Sequence, residues 1–146
     1  MSSIPIRIIG AEKVEEKLIS IAENIPSILD YCLNKSAGLI YQSIRDKTPV
    51  RTGETVKTLE VKEEPGKRIV GSNSPVYVYL EYGTSPHEIY PVKALALRWE
   101  DIYGVHFAKH VHHPGTRPLH IFRRSVEENR GEIVKIFINA LAVKIK

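Results

Sequence analysis

The apolar residues of this chain change their period twice, and no other feature restricts its fold as much. From Ala11 to Ile25 they recur at three- and four-residue steps, as Val14, Leu18, Ile21 and Ile25, with Glu12, Lys13, Glu16, Lys17 and Glu23 on the other faces. Side chains three and four apart share one face of a 3.6-residue helix, so this spacing predicts an amphipathic helix of about four turns. Pro26 has no backbone N–H and fits best in a first turn, so it predicts a second helix starting there. The stripe of that helix is Leu29, Leu33, Ala37, Ile40 and Ile44, and Thr48-Pro49 ends it.

Beyond residue 56 the step falls to two. Leu59, Val61 and Ile69 alternate with charged neighbours on either side of Pro65-Gly66, which predicts strands at 57–64 and 67–72 joined by a hairpin turn. After a break at "NSP", residues 73–75, the run "VYVYLEY" suits a strand or a short helical turn equally. "HEIYP", "ALALRW" and "GVHFAKHVHH" alternate like strands, separated by Pro91 and by a turn at Tyr103-Gly104. Past Pro118 the helical step returns with Phe122, Val126, Ile133, Phe137 and Leu141, supported by Ile136 and Ala140 and weakened only by Gly131. The expected fold class is α+β: N-terminal helices, a small, mostly antiparallel β-sheet, and a long C-terminal helix packed on the sheet. At 146 residues the chain is expected to form one domain with a core that needs no staples.

The lone cysteine, Cys32, excludes an internal disulfide framework and reads as a small buried hydrophobe beside the helical stripe. No positively charged leader opens the chain, which points to an intracellular origin. The longest apolar runs fall far short of the roughly 20 residues needed to cross a bilayer, so no membrane partner is expected. Lys and Arg number 21 against 17 Asp and Glu, a formal net charge of +4, but they are interspersed and form no basic arm. That balance leaves a small nucleic-acid-binding protein as the alternative function, with Arg98, Lys109, Arg117, Arg123 and Arg124 as the phosphate-contacting candidates.

Two constellations invite chemistry. Four of the six histidines fall in "GVHFAKHVHHPG", where an unbroken strand would place His106, His110 and His112 on one face and His113 on the other. Same-face neighbours are about 6.6 Å apart on a strand, so His110 and His112 could share a metal but His106 is too far. No further ligand spacing supports a zinc site, and a histidine-dependent metalloenzyme is the weakest of the three functions. Glu81 with His87 is an acid-base candidate. A glutamate before Gly-Thr equally suits a brace that accepts backbone N–H groups or pairs with an arginine, Arg51 or Arg117, and that role is favoured. Nucleophile elbows, phosphate-cradling loops and kinase motifs do not occur in the sequence. Tyr77, Tyr79, Tyr82, Tyr90 and Trp99 are candidate contact anchors; Tyr82, His87 and Tyr90, in the loop, are the preferred contact residues.

The rigid residues gather at three joints: "TPVRTGETVKTL", with Arg51, Thr52 and Gly53; "VYVYLEYGTSPH", with Glu81, Tyr82, Gly83, Thr84 and His87; and "VHHPGTRPLHIFRRSVEEN", with His113, Pro114, Gly115, Arg117 and Phe122. In this order they resemble the Pro-x-x-Thr-Gly, tyrosine-rich Glu-x-Gly-Thr and His-Pro-Gly plus Pro-x-x-Phe segments of the gene-product-ten-like tail-component, or neck, proteins of long-tailed phages. The likeness spans roughly residues 12 to 140. It departs at Leu119-His120-Ile121-Phe122, where the family often carries proline or phenylalanine directly after its second proline. The resemblance implies a small α+β virion protein of a tailed virus or provirus, assembled in the host cytoplasm and acting at the head-tail junction in neck or tail completion. It implies a homo-oligomeric ring, or a place in a ring of other neck, tail or connector proteins, with no enzyme activity, metal or cofactor. Non-specific contact with passing DNA is compatible with that place and with the charge.

Overall fold

Pro26 does not end the first helix. The computed structural model describes residues 9–145, and the expectation that the chain has no leader falls on residues 1–8, which lie outside them. Helix α1 runs unbroken over Ala11–Lys47, 37 residues, with Pro26 inside it. The proline removes the N–H that would bond the Ala22 carbonyl, but the turn around it is exposed to water, and neighbouring carbonyls gain side-chain donors: Asn24 Nδ2 donates to Ser20 O at 2.7 Å and Ser27 Oγ to Asn24 O at 2.8 Å. Burial begins just past it, on Ile28, Cys32, Ala37 and Ile44. The buried face keeps Ala37 and Ile44 of the predicted stripe but takes Ile28 and Cys32 in place of Leu29 and Leu33, and Cys32 is fully buried against the Ile136 carbonyl.

What covers this face is helix α4, Ile121–Ile145, which continues through Gly131. Lys47 meets Glu128 at 2.7 Å, Ser43 meets Asn129 at 3.0 Å and Cys32 meets Ile136, so the two helices run antiparallel. α4 runs out where Val143 lines a groove with Ser27 and Ile28. The turns of α1 before that point bear the predicted stripe uncovered: Leu18 is 61% exposed, and Val14 and Ile25 are also exposed.

Between the helices lie α2 (Glu54–Lys57), β1 (Leu59–Glu64), β2 (Lys67–Ser72), α3 (Pro75–Tyr82), β3 (His87–Ile89), β4 (Leu97–Asp101), β5 (Gly104–Ala108) and β6 (Val111–His113). The α+β class is as expected, with the antiparallel strands distributed over three two-stranded ladders, β1-β2, β3-β6 and β4-β5. The predicted strand "GVHFAKHVHH" divides at Lys109-His110, and its halves join different ladders. In the first hairpin Val61 faces Val70 and Lys62 faces Ile69, so Val70 shares the inward face with Leu59 and Ile69 is exposed. Arg68 shares that inward face. Its guanidinium reaches α1 at Asn34 Oδ1, 2.6 Å, and at Asp30, and it also donates to the carbonyls of Glu64 and Lys67.

"VYVYLEY" resolves as helix α3 because Ser74 caps it, accepting from Val76 N at 3.4 Å, with Pro75 in its first turn. The helix places Tyr77 in the core with Ile44, Leu59 and Ile121, joined by half-buried Val70, Leu80 and Phe122. Tyr77 and Phe122 meet edge to face at 5.3 Å, so Tyr77 is a core residue and not a contact anchor. Through Ile121 and Phe122 the C-terminal helix packs against the first hairpin, and its remaining length lies on α1.

Candidate functional site

Two of the three joints fold onto each other. α3 ends at Gly83, and Thr84 then exchanges both backbone hydrogen bonds with Thr116, at 3.0 and 3.1 Å. Thr84 Oγ1 accepts a further bond from Thr116 N at 2.9 Å, and Leu119 N donates to Leu80 O at 2.8 Å. Beyond the bridge the ladder continues, His87 opposite His113, Glu88 opposite His112 and Ile89 opposite Val111. The two glycines permit this approach. A Cβ on Gly83 would collide with the Thr116 carbonyl, and one on Gly115 with the Thr84 carbonyl, and both residues hold a positive φ, +73° and +84°.

Glu81 crosses between the joints. Its Oε2 accepts from Phe122 N at 2.8 Å and its Oε1 from Arg123 N at 3.2 Å. These N–H groups belong to the first turn of α4, where intrahelical acceptors are missing and the helix dipole favours a negative charge. The carboxylate therefore caps a helix 41 residues downstream. The return of the helical step past Pro118 predicts a helix start at that proline. The helix opens at Ile121 instead, after His120 turns the chain at φ 51°. Neither Arg51 nor Arg117 forms an ion pair with Glu81 among the described residues; both are exposed. Glu81→Ala is expected to destabilise the fold by about 1–2 kcal/mol, the usual cost of losing a cap, and Glu81→Gln by less. Urea unfolding measures both, and an unchanged midpoint for Glu81→Ala would show that the cap contributes nothing.

His87 does not face Glu81. Its Nδ1 lies 2.9 Å from the Ser85 carbonyl, and its ring stacks on His113 at 5.0 Å. His113 Nδ1 in turn accepts from Gly115 N at 3.0 Å. His112 pairs with Glu88 at 2.5 Å, His110 stacks on Tyr90 at 5.9 Å, and His106 stacks on Trp99 at 5.2 Å. Because the strand divides at Lys109-His110, the expected one-face array of His106, His110 and His112 is not formed. Each of these rings has its own partner, across paired strands for His106, His112 and His113 and from the adjoining Tyr90 for His110. Among the described residues, no three His, Cys, Asp or Glu side chains gather as a metal site requires.

The joined segments enclose a depression of about 640 Å³ lined by Tyr79, Gly83, Thr84, His87, His113 and Thr116. Tyr82 and Tyr90 project from its vicinity, 70% and 62% exposed, and Pro114 is exposed in the return loop. Arg51 and Thr52 lie in the exposed turn after α1, and Gly53, at φ 80°, starts α2. That joint reaches α3 through the buried Thr48, whose Oγ1 donates to Ile44 O at 2.7 Å and lies 3.2 Å from the Tyr77 hydroxyl. Of the five phosphate-contacting candidates, Arg98 is on β4 and Lys109 follows β5, while Arg117, Arg123 and Arg124 lie in the last joint and the first turn of α4. Arg124 is engaged with Glu128 at 3.5 Å. No helix of the described residues is long and apolar enough to cross a membrane.

The β4-β5 hairpin carries a separate polar lock that sequence reasoning missed. Asp101 Oδ1 accepts from Tyr103 N at 2.8 Å and lies 2.9 Å from His106 Nε2. The Tyr103 N–H, then His106, hold the Asp101 carboxyl below the usual aspartate range. A depressed carboxyl stabilises its turn above the unfolded pKa and loses that contribution as pH falls through the folded one. The Tyr103 amide shift, followed by NMR against pH, is therefore expected to titrate below the ordinary aspartate value. A midpoint at or above that value would show the lock to be open.

No protein-family model, no curated protein and no solved structure matches the chain.

Proposed function

We propose that this chain is a structural virion protein of a tailed virus or provirus, acting at the head-tail junction through ring-type assembly. The observation that carries the reading is uncovered apolar surface on a braced scaffold. The leading turns of α1 expose Val14 and Leu18, the outer face of α4 exposes Val134 and Ile138, and Tyr82 and Tyr90 stand beside the joined loops. Exposed apolar side chains paired one helical turn apart, as Val14 with Leu18 and Val134 with Ile138, suit surfaces that are covered in an assembly. The three joint segments that resemble neck proteins supply the specific place. Glu81, the best general-base candidate, is committed to two backbone N–H groups, which favours a brace over a catalyst.

The test is co-expression with the products of the neighbouring open reading frames, combined with sedimentation velocity over a wide concentration range. Co-purification with at least one of them, or a discrete ring, is expected. A chain that stays monomeric and binds none of them would overturn the proposal. Salt-sensitive DNA binding in that same monomer would favour the nucleic-acid alternative.

A further inference from the structure

We draw no further inference here: the strongest candidate, the apolar tip and flank of the β4-β5 hairpin, where Ile102, Tyr103 and Phe107 are exposed, carries nothing because nothing in the structure shows what covers it.

Discussion

Gly115→Ala is expected to cost about 3 kcal/mol and to part the two joined loops. Two costs add at this position. A non-glycine residue in the left-handed region costs roughly 1–2 kcal/mol, and the new Cβ would collide with the Thr84 carbonyl and press on the backbone of Ser85 and Pro86. Neither obstacle is the flexible end of a side chain, so relief requires moving the Thr84-Thr116 bridge itself. At roughly 2–4 °C per kcal/mol for a chain of this size, the melting temperature should fall by about 10 °C. The Thr84 and Thr116 amides, which bond each other's carbonyls, should exchange with solvent much faster. Gly131→Ala is the matched control. Gly131 lies inside α4 with open space around it, and alanine there should stabilise the helix by about 0.5–1 kcal/mol. Equal stability and equal protection for Gly115→Ala would show that the loops do not meet as closely as described.

The joints were visible in the sequence as joints because glycine and proline act locally. What they join was not. Nothing in "YLEYGTSPH" says that Thr84 will bridge Thr116, since strand pairing across 32 residues depends on the whole fold. The same limit explains Glu81: its role as an acceptor of backbone N–H groups suits its type and place, but the partner is a helix start that no local pattern links to it. Periodicity located the helices well and found part of their buried faces, Ala37 and Ile44 on α1 and Ile136 on α4, but it put the first turns past Pro26 on the wrong line. The Leu29-Leu33 line fits the spacing as well as Ile28-Cys32 does, and only the approach of α4 decides between them. Pro26 misled because proline propensity weighs the lost hydrogen bond but not the packing that starts at Ile28. The histidines misled because two short strands read as one long one, and the break at Lys109-His110 carries neither glycine nor proline.

Ile44→Ala is expected to lower stability by about 3–4 kcal/mol, in the range for truncating a large core aliphatic where the cavity cannot collapse. Ile44 is fully buried in the cluster where α1, β1, α3 and α4 meet through Leu59, Tyr77 and Ile121, so the loss falls on all four elements at once. Leu18→Ala removes the same kind of side chain from the same helix, but from a position 61% exposed, and should change the monomer's stability by no more than about 0.5 kcal/mol. The comparison separates two uses of one apolar stripe. If both substitutions were equally damaging at low protein concentration, the leading turns of α1 would have to be covered within the monomer. If Leu18→Ala is silent there but weakens association as concentration rises, its apolar face serves contacts between chains, and Ile44 serves the fold that presents them.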